Sequence, residues 1–180
     1  HLSNTIDDFR NFFSPNKEIN KFYISELIKK SKDLIKSRFD KFNIKVIENI
    51  DDIEILSYQN ELFQVILNLF SNSIDVLSSN EIEDKIIHIK IYQDENNLCI
   101  EFLDNGGGIK DEFINRVFEP YFTTKHKSQG TGIGLYMSLQ IVTKHLNGEI
   151  SVKNDTFIEN NIAYFGAKFT ILLPIHPKNS

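Results

Sequence analysis

The sequence predicts an α+β fold in which about three helices cover one face of a mixed, mostly antiparallel sheet. Three observations carry this expectation. The chain has 180 residues, 41% of them hydrophobic, which suits one globular domain with a sizeable core. Segments of helical and of strand period follow one another in mixed order, not in strict alternation. Neighbouring strand-like segments are joined by polar turns, which pair them antiparallel.

The elements follow in order. Leu2, Ile6, Phe9 and Phe13 recur at helical spacing, and Pro15 stops that helix. Phe22–Ile24 reads as a short strand. Ser25 is placed to cap the next helix, whose apolar face is Leu27, Ile28, Leu34, Ile35 and Phe39. Asn43 to Glu48 and Ile53 to Leu56 read as strands. Asn60 is placed to cap a long helix reaching Leu77, with Leu62, Val65, Ile66, Leu69, Ser73 and Leu77 inward. Ile86 to Tyr92 and Leu98 to Leu103 form a strand pair across an Asp-Glu-Asn-Asn turn. A long glycine-rich connection runs from 104 to 131, a length typical of lids and binding loops. A helix from Gly132 to Leu146 ends at Asn147-Gly148. Strands Glu149–Lys153 and Ala163–Leu173 flank a polar turn at 154–161. The expected total is six or seven strands.

Composition removes several classes of function. The net charge of −5 leaves no basic stripe to displace counterions from phosphates, so no nucleic-acid partner is expected. The lone Cys99 supports neither a disulfide framework nor a cysteine-rich zinc site. The histidines lack metal-ligand spacing. No apolar run approaches the ~20 residues of a membrane helix, and no secretory leader pattern is present. The expected location is the cytoplasm, without membrane contact from this stretch. His1 is no initiator Met, so an upstream anchor in the inner membrane stays open.

Three segments carry candidate chemistry, and each has a plain alternative. Asn68 and Asn72 lie four apart and share a helix face. Asn is a poor mid-helix residue, so the pair reads either as carbonyl ligands for Mg²⁺ or as a polar stripe completed by Gln64 and Asp75. Asp104 ends an apolar strand and precedes three glycines. It can accept from the exocyclic amine of a base, or it can simply start an Asp-Asn-Gly turn. Gly130-Thr131-Gly132-Ile133-Gly134-Leu135 opens a helix, which suits an anion site or a flexible hinge. It fits neither the Walker nor the dinucleotide pattern. Lys125 can reach a terminal phosphate as a point charge or lie in solvent. Phe118 and Phe122 can clamp the connection to the domain or pack as ordinary core.

In combination, these segments resemble the catalytic, ATP-binding domain of sensor histidine kinases. Gln64–Asp75 looks like that family's N box and Asp104–Ile109 like its first G box. Phe118-Glu-Pro-Tyr-Phe-Thr-Thr-Lys125 looks like its F box, with Tyr121 replacing a Phe. Gly130–Leu135 looks like its second G box. The resemblance covers residues from about 20 to 174. It implies a Bergerat-type two-layer α/β sandwich over 15–180, with a lid at 105–131. Residues 1–14 resemble the end of the dimerisation and phosphoacceptor helix. It implies ATP and Mg²⁺ as cofactors, with Asn68 and Asn72 holding the metal and Asp104 accepting from adenine. Gly106 and Gly108 would make room for the base, and Ile109 and Phe122 would line its site. Residues 130–135 would contact phosphates, whose charge Lys125 balances.

The implied reaction is γ-phosphoryl transfer to a histidine outside this stretch, then to a response regulator. The implied partners are the chain's own dimerisation hairpin and that regulator, within a homodimeric full-length protein. This stretch alone is expected to be inactive, because the acceptor helix is missing and His1 does not match the acceptor motif. Two departures stand out: Thr123 occupies the place of a lid Arg, and Lys168 that of a Thr or Ser near adenine. A Bergerat-fold ATPase, an anti-sigma-type serine kinase and a non-catalytic nucleotide-sensing module remain as alternatives. The ATPases carry a carboxylate where this chain has Asn68.

Overall fold

The computed structural model describes residues 18–125 and 130–177. The expected stub helix, with its stop at Pro15, lies outside the described residues. Seven strands are present among the described residues: β1 (Asn20–Tyr23), β2 (Ile44–Ile50), β3 (Glu54–Ser57), β4 (Lys85–Asp94), β5 (Asn97–Asp104), β6 (Glu149–Glu159) and β7 (Ile162–Pro174). The helices are α1 (Ile24–Leu34), α2 (Lys36–Phe42), α3 (Gln59–Ser79), α4 (Asp111–Ile114) and α5 (Gly134–Gln140). A π-helical turn, Ile141–His145, continues α5. No helix among the described residues is long and apolar enough to cross a membrane.

The main sheet has the order β2-β4-β5-β7-β6, and β1 and β3 form a separate two-stranded sheet. Only the β2–β4 pairing is parallel in the main sheet. Side chains alternate between its faces, and the registers align a row of five isoleucines: Ile50, Ile91, Ile100, Ile171 and Ile150. The next inner row is Glu48, Ile89, Phe102, Phe169 and Val152. These rows form the floor on which the helices pack. Helix α3 touches α1, α2, α5, the π-helical turn and β5. Its apolar face, Leu62, Val65, Ile66, Leu69, Phe70, Ile74 and Leu77, is buried. Phe70 meets Phe39 and Phe102 edge-on, at ring-centroid distances of 5.5 and 4.9 Å.

Local details depart from the expected pattern. Ser25 does not cap α1: the cap is Tyr23, and the Ser25 hydroxyl donates to the Asp52 carboxylate instead. Asn60 likewise lies inside α3, which Tyr58 precedes without a side-chain cap. The helix expected to run through Phe39 breaks at Ile35 into α1 and α2, and that break leaves Leu34 64% exposed. The expected turn at 154–161 is mostly strand. β6 and β7 run on to a two-residue turn at Asn160-Asn161, both with positive φ, the geometry that matches strand twist in tight hairpins. Asn147, also at positive φ, ends the last helix as expected.

Phe70→Ala should cost about 3–5 kcal/mol, because it removes a fully buried ring gripped by two others. Urea unfolding of the two proteins, compared at equal slope, measures it.

Candidate functional site

The polar face of α3 and the end of β5 meet the long connection around a cavity of about 420 Å³. Asn68, Asn72, Asp104, Gly108, Ile109, Phe122, Lys125, Gly130, Thr131, Gly132, Ile133, Gly134 and Leu135 all line it. Residues up to 67 positions apart in sequence, Asn68 to Leu135, thus converge on one concave surface of the size that small-molecule sites occupy. Of the residues picked from sequence, Gly106 is the exception. A Cβ there would lie 2.3 Å from Val76 Cγ1, so this glycine lets the loop approach α3.

Asp104 sits at the inner-face end of β5 and is 3% exposed. Its Oδ1 accepts from the Gly106 N–H at 2.8 Å, and the Ala167 N–H also donates to the carboxylate. Burial nevertheless dominates and pushes its pKa up to about 6, because desolvation disfavours the charged form. A partner that donates a hydrogen bond into the cavity would favour the carboxylate. The contact with Gly106 is the side-chain bond of an Asp-Asn-Gly turn, and the same carboxylate lines the cavity.

The α3 amides face the same space. Asn68 Nδ2 donates to the Gly134 carbonyl at 3.3 Å and to Ser138 Oγ at 3.2 Å, which points its carbonyl end elsewhere. Asn72 Nδ2 is buried and has no hydrogen-bond partner among the described residues. Asn72 Oδ1 already faces a cation, the Lys125 ammonium at 3.4 Å. That combination fits a bound metal with its anionic ligand: an oxygen directed at positive charge, and an amide N–H lacking an acceptor. Lys125 is not in solvent. Its ammonium lies 2.8 Å from Asp75 Oδ2, and Arg38 holds Asp75 Oδ1 at 2.8 Å. Asp75 and Arg38, unassigned from sequence, thus tie the connection to α3. The i, i+3 spacing of Asp75 from Asn72 was the available signal.

The connection is tied to the domain at two points. The Tyr121 N–H donates to the Gly132 carbonyl at 2.9 Å. Phe118 packs edge-on against Phe169 at 6.3 Å, as a clamp would. Phe122 instead lines the cavity and lies beside Phe113 at 5.6 Å, with the Arg116 guanidinium 4.5 Å from its ring centroid.

Lys168 needs correction. It points to the opposite face of the sheet, where its ammonium lies 2.8 Å from Asp155 and 3.6 Å from Glu101. The strand period of two makes Ala167 the cavity residue beside Asp104. Among the other lining residues that sequence reasoning missed are Ser71, Val76, Phe113 and Met137. No sequence spacing connects α4 or Ala167 to α3. The chain brings them together only through the sheet.

The family model for histidine kinase-, DNA gyrase B-, and HSP90-like ATPases matches residues 57–177. Sporulation kinase E of Bacillus subtilis is 30% identical over 155 residues, which span 85% of this chain and 19% of that protein. The signal transduction histidine-protein kinase AtoS of Escherichia coli is 29% identical over 160 residues, 87% of this chain and 24% of AtoS. The chain thus spans about a fifth to a quarter of the length of these relatives. The catalytic domain of histidine kinase ThkA, in a nucleotide-free form, is similar at a TM-score of 0.73 and 26% identity, over 89% of this chain and 98% of that one.

The raised pKa of Asp104 links stability to pH. Its folded value of about 6 stands above the ordinary 3.8, so the folded chain holds a proton that the unfolded chain has released. The contribution is fully present below about pH 4 and is lost as pH rises through about 6, on the order of 3 kcal/mol in all. Without ligand, Asp104→Asn should flatten this fall. Urea midpoints of wild type and variant, taken from pH 4 to 7.5, provide the check.

Proposed function

Because this chain belongs to the histidine kinase-, DNA gyrase B- and HSP90-like ATPase family, we propose that its cavity binds ATP with Mg²⁺. We further propose that it donates the γ-phosphoryl group to a histidine on a dimerisation hairpin of the same protein. The phosphoryl group then passes to an aspartate of a response regulator. Sensor and sporulation kinases among the relatives support this reading, and the full-length protein would act as a homodimer with this domain in the cytoplasm.

The observation that carries the kinase reading is Asn68. It stands one turn before Asn72 on the same face of α3 and donates from its amide to α5. A hydrolysing relative needs a carboxylate there to take a proton from water. An amide cannot do so. What the chain's residues can do is position the nucleotide and stabilise its charge, the larger part of phosphoryl transfer.

In this reading the ionised Asp104 accepts from the adenine amine, and Gly108, Ile109 and Phe122 line the base. Asn72 and Asn68 would hold Mg²⁺ through their carbonyl oxygens, and the metal would neutralise phosphate charge. The Asn72 amide N–H gains the acceptor that it lacks. Residues 130–135 present backbone N–H groups to the phosphates. Lys125 exchanges Asp75 for a terminal phosphate, while Arg38 keeps Asp75 neutralised. An imidazole nitrogen of the acceptor histidine attacks the γ-phosphorus, the bond to the β–γ bridging oxygen breaks, and ADP leaves.

Two measurements test this. Asp104→Asn should weaken Mg-ATP binding at least about tenfold, since a mismatched buried polar contact costs roughly 1–3 kcal/mol. Equal affinities by calorimetry would sink the adenine assignment. Incubated with labelled ATP, this chain alone should neither label itself nor hydrolyse ATP quickly. With its own hairpin added it should label one histidine there, with acid-labile, base-stable phosphate. Fast hydrolysis by the chain alone would favour an ATPase, and acid-stable label a serine kinase.

A further inference from the structure

Two side chains outside the cavity hold the loop at 106–109: Asn80 Nδ2 donates to the Gly106 carbonyl at 3.0 Å, and Asn154 holds Ile109. Asn154 lies on β6, opposite Ala167 of β7. It continues the inner-face row to which Ala167 and Asp104 belong. Its Oδ1 accepts from the Ile109 N–H at 2.8 Å, and its Nδ2 donates to the Ile109 carbonyl at 2.7 Å. The side-chain amide thus takes both backbone groups of Ile109, as a neighbouring strand would. Beside it, the Gly107 N–H donates to the Phe165 carbonyl at 3.2 Å. Gly108 has a φ of +81°, and a Cβ there would lie 2.6 Å from Asn154 Oδ1. The amide therefore sits tight against the loop at 108 and grips it at 109.

We propose that Asn154 is a positioning residue that fixes the width of the base slot and so sets selection of adenine over guanine. This rests on the nucleotide-binding reading above. Asn154 does not line the cavity, but Ile109 and Gly108 do, so it acts through them. Asparagine suits the task because it offers a donor and an acceptor at one reach. Aspartate lacks the donor, and glutamine is a methylene longer. Guanine turns a carbonyl oxygen toward Asp104 where adenine turns an amine, and two acceptors repel. A base can escape that mismatch by sliding toward the loop. With Ile109 pinned, there is nowhere to slide. Once it is released, adenine loses its fixed seat and guanine loses part of its penalty.

The experiment compares wild type, Asn154→Ala and Asn154→Asp by calorimetric titration with ADP and with GDP, each with Mg²⁺, alongside hydrogen exchange of the Ile109 amide without nucleotide. The backbone ladder between β6 and β7 does not use this side chain. We expect Asn154→Ala to keep its thermal midpoint within a few degrees. It should exchange the Ile109 amide at least about tenfold faster, bind ADP at least about tenfold more weakly, and show an ADP-to-GDP preference reduced about fivefold or more. Asn154→Asp keeps the acceptor alone and should fall between, and it carries the test if the alanine variant does not fold. An unchanged preference overturns the proposal, including the case where ADP and GDP affinities fall together as a purely structural role would make them. Unchanged Ile109 exchange also overturns it. Absence of ADP binding by wild type would instead overturn the nucleotide reading on which it rests.

Discussion

Helix α3 has two incompatible faces, and burying one of them organises the molecule. Leu62, Val65, Ile66, Leu69, Phe70, Ile74 and Leu77 cannot remain in water without large cost. The isoleucine and phenylalanine rows of the sheet supply the only broad apolar floor among the described residues. Once that face is down, Asn68, Asn72 and Asp75 are held off the sheet on a rigid element. Other helices gather around α3, and the cavity is what remains between its polar face and the connection. Function here is a by-product of amphipathicity: the residues that do not pack are the residues that can bind.

The sheet contributes by register. One inner row changes character along its length, from Val46 and Ile87 to Asp104, Ala167 and Asn154. The apolar half belongs to the core and the polar half to the site. Asp104 is buried in that row at an energetic cost, which two backbone N–H groups offset in part. A carboxylate held this way lines the cavity with its charged form disfavoured by burial. The charged residues beside Lys125 are arranged differently. Asp75 lies between Arg38 and Lys125, partly in solvent, where such pairs are weak and exchange readily. Tight burial fixes Asp104 in place, and loose pairing leaves Lys125 free to change partners.

Much of this was readable from the order of residues. Each expected strand exists, every residue expected on the inward face of α3 is buried, with Phe70 and Ile74 added to it, and the three candidate segments line one cavity. The errors share a cause. Ser25 and Asn60 looked like caps, yet each lies one or two residues inside its helix, because tertiary strand pairing sets where β1 and β3 end. The turn at 154–161 looked polar and therefore loose. Asn154, Asp155 and Thr156 are paired with β7 all the same, since a partner strand overrides weak local propensity. Lys168 was assigned one residue away from Ala167, and a one-residue slip in a strand moves a side chain to the other face.

The sequence by itself determined the fold class, the helix face that must be buried and the types of chemistry available. Periodicity and side-chain chemistry are local properties, and they survive being read one residue after another. Tertiary structure alone decided which side chains outside the motifs touch them. It set Asn154 against Ile109, Arg38 and Lys125 against Asp75, and Val76 against Gly106. These pairs are separated by 30 to 50 residues, and no spacing rule links positions whose contact depends on how a sheet is ordered. Burial, too, is a property of the assembled fold, so the raised pKa of Asp104 could be given only by the strands and the helix that exclude water from it.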